Sequence, residues 1–231
     1  MKYKKGFTLI ELLVAMAIAG IVIASVYAAY RVQQKSYLAQ DQVAAMQQNL
    51  RAAIIMMERE IRMAGYDPLG SSGARIEVAT ATMMRFTMDI HDGVDNDGDG
   101  SIDEDDEAGS GDGDTGDVNE NIIYVRLDPD GDGIFDLLRR DGVVPGDQLI
   151  AENIDALDFV YLDQDGNVTG TLGEIRSVQI TVVARTARFD RGYRDTDSYL
   201  NQQGTVILPQ QGDSFRRRRL TAEAICRNLT F

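Results

Sequence analysis

Hydrophobic and polar positions divide this chain into three stretches with different periods. Residues 12–30 contain no charged side chain. At about 1.5 Å per residue they span roughly 28 Å as a helix, close to the ~30 Å thickness of a bilayer's hydrocarbon core. Further on, apolar residues recur three and four apart: Val43, Met46, Leu50, Ile54, Met57, Ile61 and Ala64. That spacing draws one apolar stripe along a helix, with Gln47, Gln48, Arg51, Glu58, Arg59 and Arg62 on the other faces. Gly65 fits a helix C-cap, and Pro68 follows just beyond it. One helix from about Phe7 to Ala64 is therefore expected, roughly 87 Å long at ~1.5 Å per residue. A coiled coil is the alternative, but the stripe lasts only about three heptads. After the helix the period changes to that of strands, expected at 75–79, 83–89, 121–127, 134–139, 156–162, 175–186 and 220–229. The strongest stretch is Ile175 to Val183, where Ile175, Val178, Ile180, Val182 and Val183 are β-branched. The fold class predicted is α+β: a long N-terminal helix packed on an antiparallel sheet.

Composition sharpens this picture. The chain has 231 residues and a formal charge of −14. About 165 residues follow the helix, enough for one domain with its own core. The acid is concentrated in 89–120, whereas 216–219 reads Arg-Arg-Arg-Arg. Such acidity argues against a nucleic-acid partner, whose phosphates require a basic face. The arginine run reads as a basic patch for a membrane or partner, or as a strand start whose alternate arginines face solvent and pair with acids. The second reading suits so acidic a chain.

The candidate chemistry begins at the N-terminus. Lys2, Lys4 and Lys5 precede the apolar run, so the positive-inside bias keeps them cytoplasmic and sends the rest across the membrane. Glu11 lies within the apolar stretch. An acid in a membrane helix is costly and is a functional hypothesis by default. An ordinary anchor and a secretory signal cut near Ala28 are the plainer readings, though the apolar region is long for a cleaved signal.

The run Gly6-Phe7-Thr8-Leu9-Ile10-Glu11, followed by an apolar helix, resembles the signal of type IV pilins and type II secretion pseudopilins. The resemblance implies a type IV pilin-like fold and cleavage by a prepilin peptidase between Gly6 and Phe7. It also implies N-methylation of Phe7, and pairing of Glu11 with the N-terminal amine of a neighbouring subunit. Removal of Lys2, Lys4 and Lys5 would take the formal charge from −14 to −17. In the second half, LDFVYLDQDGN, EIRSVQITVVART and FRRRRLTAEAICRNL resemble the PilW family of minor type IV pilins. The organisation implied is a leader at 1–6, a membrane or filament-core half-helix at 7–30, an amphipathic half at 31–65, and a β-rich head at 66–231 with an acidic insertion at 89–120. The implied function is that of a minor pilin priming or capping a filament. The route runs from the inner membrane, with the head in the periplasm, to the pilus, and the partners are other pilins and the peptidase. A type II secretion pseudopilin and a membrane-tethered calcium-dependent adhesin are the alternatives.

Residues 95–106 follow the spacing of a twelve-residue calcium loop. Asp95, Asp97 and Asp99 take the first, third and fifth positions, with Gly100 at the sharp turn. Ser101, Asp103 and Asp106 complete the set, Asp106 standing where the pattern wants a longer Glu. Alternate carboxylates suit calcium, which takes six to eight hard oxygens at ~2.3–2.6 Å. The other reading is a solvated acidic loop. Asp128, Asp130, Asp132 and Asp136 repeat the first part of the pattern, but Arg139 occupies the twelfth position. A hairpin turn explains that segment equally well. Asp163-Gln164-Asp165-Gly166 reads as a turn.

An enzyme is not indicated. His91 and Cys226 are the single histidine and the single cysteine, far apart in sequence, and the paired acids lie in glycine-rich stretches. Cys226 reads as a buried small apolar residue of a strand.

Overall fold

The computed structural model describes residues 6, 8–90 and 113–229. The chain divides into two compact units, Met1–Ala44 and Ala45–Phe231. The division falls inside the helix, so its last turns belong to the head.

Helix α1 runs Leu9–Ile61. In the first unit its side chains are exposed, Leu12, Met16, Ile21 and Val26 among them. This segment is long and apolar enough to cross a membrane. Ser25 donates its hydroxyl to the Ile21 carbonyl at 2.9 Å, so its polar group is satisfied within the helix. Tyr27 and Tyr30 stand at the end of the uncharged run, and the Arg31 guanidinium lies 5.9 Å from the Tyr27 ring centre. Amphipathic rings and a cation at that level suit the membrane–water interface.

In the second unit the predicted stripe is the buried face. Met46, Leu50, Ile54, Met57, Ile61 and Ala64 are all under 8 % exposed. The helix stops three residues short of the expected end. Met63 and Ala64 donate to carbonyls three residues back, and Gly65 turns the chain at φ +74°. A β-carbon at Gly65 would also collide with the side chain of Leu229. The positive φ is what calls for glycine there, and a larger residue would also have to displace Leu229.

Among the described residues, the head holds two antiparallel sheets and a short hairpin. Strands β1 (Ile76–Ala79), β2 (Met83–Thr87), β3 (Asn121–Leu127), β4 (Asp136–Asp141) and β5 (Asp147–Ala151) form a five-stranded meander in that order. Strands β6 (Ile154–Leu162), β7 (Ser177–Arg185) and β10 (Arg217–Ile225) form the second sheet with β7 in the centre. Between β7 and β10 the chain makes an excursion carrying the hairpin β8 (Tyr199–Leu200) and β9 (Val206–Leu208). The central β7 is buried along most of its length, as expected of its β-branched run. The α+β class expected from the sequence is what the structure shows.

Two charged clusters hold these layers. Glu60, on α1, accepts the Tyr124 hydroxyl at 2.6 Å and Arg139 Nε at 3.0 Å. Arg139 reaches on to Asn119 at 3.0 Å. Tyr124 is wholly buried, and burial together with the Glu60 charge pushes its pKa far above the ordinary tyrosine value. The second cluster centres on Arg217, whose side chain is 2 % exposed. It bonds Asp155 on β6 at 2.5 Å, Asp195 at 2.8 Å and Asp213 at 2.6 Å. The arginine run therefore is a strand start paired with acids, but Arg217 faces inward rather than to solvent. Burial alone would disfavour its charge, and the bonds to Asp213 and Asp195 more than offset this.

Removing Arg217 would strand three carboxylates, one of them fully buried. Arg217→Met is expected to lower unfolding free energy by about 3–5 kcal/mol, the cost of breaking a buried ion pair from one side. Arg217 holds the Asp213 carboxyl below its ordinary value. That contribution is present above the unfolded Asp value of about 3.9 and is lost as pH falls through the lower folded value. Denaturant unfolding of both proteins between pH 7 and 2.5 should show a shallower acid-side loss in the variant.

Candidate functional site

The N-terminal site is built on the start of α1. Thr8 precedes the first helical residue, and its carbonyl accepts the Leu12 amide at 3.2 Å. The Glu11 carboxylate accepts the Thr8 amide at 2.8 Å and the Thr8 hydroxyl at 2.9 Å. In return the Glu11 amide donates to the Thr8 hydroxyl oxygen at 3.3 Å. This is a reciprocal capping box, which satisfies free amides at a helix start and places an acid at the positive end of the helix dipole. Glu11 thus has partners in its own chain, which the sequence reading overlooked. The signal was present as Thr-x-x-Glu before an apolar run. Glu11 and its neighbours are exposed. Gly6 is exposed with open space around it, and Phe7 lies outside the described residues.

The acidic segments divide into three. Asp95, Asp97, Asp99, Ser101, Asp103 and Asp106 lie outside the described residues, as does His91. The second segment is the β3–β4 hairpin turn. Asp128 accepts the Gly131 amide at 2.8 Å and the Gly133 amide at 3.0 Å, while Asp132 accepts the Ile134 amide at 2.7 Å. One carboxylate oxygen from each of Asp128, Asp130 and Asp132 falls within 4.8 Å of the others. Asp136 does not join them: it accepts the Asn153 amide at 2.9 Å. Arg139, at the twelfth position of the pattern, points to Glu60. A third group, Asp114, Asp117 and Glu120, shows the same closeness at the end of the insertion, with Glu120 fully buried. It was not singled out from the sequence, because its spacing of three matches no calcium-loop pattern.

The remaining candidates are structural. Asp163 accepts the Asp165 and Asn167 amides at 2.9 and 2.8 Å, closing the expected turn, with Gly166 at φ +81°. The amide bonds, led by Asn167, lower the Asp163 pKa. Cys226 is 2 % exposed just past the end of β10, and burial pushes its thiol up to about 12. That leaves it a protonated apolar side chain rather than a nucleophile.

The family model for the prokaryotic N-terminal methylation motif matches residues 1–27, the stretch that contains Gly6, Thr8 and Glu11. No curated protein matches the chain. Among solved structures, a type IV-like pilin from Thermus thermophilus is similar at 11 % identity and a TM-score of 0.46, over 79 % of this chain and 97 % of that one.

The capping box is testable by itself. Thr8→Val removes the hydroxyl from both sides of the exchange and is expected to weaken the first turn by about 1 kcal/mol. Amide hydrogen exchange at residues 9–12 in detergent micelles should then accelerate about fivefold, with residues 50–61 unchanged.

Proposed function

We propose that this chain is a minor type IV pilin, a structural and assembly subunit rather than an enzyme. The observation that carries this reading is the methylation motif over residues 1–27, which covers the first, apolar half of α1, whose side chains are exposed. An exposed apolar segment needs lipid or neighbouring helices, and a filament core supplies the latter. In the proposed route Lys2, Lys4 and Lys5 hold the leader in the cytoplasm while the head crosses. A prepilin peptidase cuts between Gly6 and Phe7, and Phe7 is N-methylated. The new cationic amine of one subunit then meets Glu11 of its neighbour.

The capping box gives this step a starting state. Before assembly the Glu11 carboxylate is held by two Thr8 donors, so it is not a bare charge in lipid. A neighbour's ammonium competes for the same oxygens with a full positive charge. Opposite charges attract strongly where water is excluded, and either one left alone would be a costly buried ion. The words of sequence shared with PilW proteins favour a pilus over a type II secretion filament. The carboxylate spacing in 95–106, and the closeness of Asp128, Asp130 and Asp132, support calcium binding by the head.

Mass spectrometry of the membrane-extracted protein should show a chain beginning at methylated Phe7. A retained Met1, or a cut near Ala28, refutes the prepilin reading. Glu11→Ala should be inserted and cleaved normally yet be absent from sheared filaments. Its normal incorporation would remove the pairing role. Loss of pili on deleting the gene favours the pilus, and loss of exoprotein secretion favours the pseudopilin. For calcium, dissociation constants of ~10⁻⁴–10⁻³ M predict a gain of about 1.4–2.7 kcal/mol at 10 mM calcium. A melting temperature unchanged by calcium would eliminate that site.

A further inference from the structure

Four strands bound the two larger sheets, β1 and β5 the first and β6 and β10 the second. A strand edge presents unpaired amides and carbonyls, and folded proteins blunt it with short lengths, bulges or covering segments. Three of these edges are blunted. Strand β1 has only four residues, and its register shifts between Ile76 and Val78. The β4–β5 ladder is broken between Leu137 and Leu138. Along β6 the Phe159 amide donates to the Ala81 carbonyl at 2.8 Å, and the Tyr161 carbonyl accepts the Thr169 amide at 2.9 Å.

Strand β10 has none of these devices. Its nine residues pair with β7 from Arg217↔Arg185 to Ile225↔Ser177 without a shift. Two bonds extend this ladder beyond its ends: the Thr186 amide donates to the Arg216 carbonyl, and the Cys226 amide to the Arg176 carbonyl. The even-numbered residues of β10 are therefore the ones bonded to β7. Antiparallel alternation then turns the amides and carbonyls of Arg219, Thr221, Glu223 and Ile225 away from it. None of these backbone groups has a partner among the described residues. All four residues are exposed, Ile225 at 54 %.

An open edge of this kind accepts one more strand, and the side chains on it select which. Arg219 donates to the Leu200 carbonyl at 2.7 Å, while Glu223 accepts the Ser177 hydroxyl and the Gln179 side-chain amide, both at 3.2 Å. Neither has an ion-pair partner among the described residues. Along one strand they stand roughly 13 Å apart, too far to pair with each other. A second β10 laid antiparallel about Thr221 puts Arg219 of each copy opposite Glu223 of the other. Thr221 then faces Thr221, and Leu220 meets Ala222 on the opposite face of the sheet. Centring the pair on Arg219 or on Glu223 would set like charges together, as would parallel pairing in register. Unlike charges and threonine pairs directly opposed across strands stabilise a sheet, whereas like charges destabilise it. The edge is thus complementary to itself.

We propose that β10 is the docking edge for a second copy of this chain, the two strands pairing antiparallel about Thr221 so that their sheets become one. Arg219, Thr221 and Glu223 each bond the opposite strand through both backbone groups. The contact is isologous, so it closes as a pair and does not propagate. It also removes the edge at which the head would otherwise template aggregation. It involves neither Glu11 nor the N-terminal motif, so it goes beyond the assembly reading above and either can fail without the other.

The test uses the full chain with detergent micelles in excess over protein. Cys226 is retained, because it is buried. Mild oxidation of Thr221→Cys should give a disulfide-linked dimer, since residues opposed in a hydrogen-bonded pair lie about 5.5 Å apart between Cα atoms, within disulfide reach. Ile225→Cys is also exposed, but its two copies would stand about 27 Å apart and should cross-link roughly tenfold more slowly. Adding Glu223→Arg or Arg219→Glu to the Thr221→Cys chain should slow its cross-linking about tenfold, because two symmetry-related pairs become repulsive. Mixing these two variants should restore the rate as a mixed disulfide, each copy supplying the charges that complement the other, which no misfolded edge would do. Equal rates at 221 and 225, rates indifferent to these charges, or no gain on mixing overturn the proposal.

Discussion

The head exists because one face of α1 must leave water. Met46, Leu50, Ile54, Met57, Ile61 and Ala64 form a continuous stripe, and burying each large member contributes about 1.5–3 kcal/mol. Burial of this kind is non-directional, so it does not fix how the helix meets the strands. Glu60 does. Its carboxylate takes the Tyr124 hydroxyl from β3 and the Arg139 guanidinium from β4, which sets the rotation of the helix against the meander. The geometry is demanding because both partners are buried: a misplaced helix would leave an arginine and a hydroxyl without acceptors.

The same logic governs the second sheet, with the charges exchanged. At Glu60 one acid gathers donors, whereas at Arg217 one cation gathers three acids from β6 and the excursion. This explains how so acidic a chain can have an arginine in its interior. Carboxylates on β6 and on both ends of the excursion enclose the buried cation. It also ties the ends of a long, strand-poor excursion to the sheet without a disulfide, which a chain with one cysteine cannot form internally.

Much of this was legible in the sequence, and the failures have physical causes. The stripe on α1 and the strands around 83–89, 121–127, 156–162 and 175–186 were visible because their apolar positions keep one period and face a core. Strand β5 was missed because Asp147, Gln148 and Leu149 are exposed on a sheet edge and carry no alternation. The β8–β9 hairpin escaped because two- and three-residue strands leave no pattern. The inward turn of Arg217 was hidden because its acids, Asp155, Asp195 and Asp213, lie far apart or in loops. At the N-terminus Glu11 stands out in the sequence as an acid in an apolar run, whereas Thr8 is an uncharged helix cap whose only mark is the Thr-x-x-Glu spacing.

Gly65 and Leu229, far apart in sequence, meet at the end of α1. The glycine that ends α1 is covered by Leu229, and Asn228 donates to the Arg62 carbonyl at 3.2 Å. The seal on the helix end is therefore made by residues synthesised long after α1. Until they arrive, the end of α1 has no cover and the head lacks its final strand β10. The apolar half of α1, by contrast, is complete within the first thirty residues. The order of synthesis thus separates the two units: the exposed apolar half of α1 is made well before the residues that close the head over its other half.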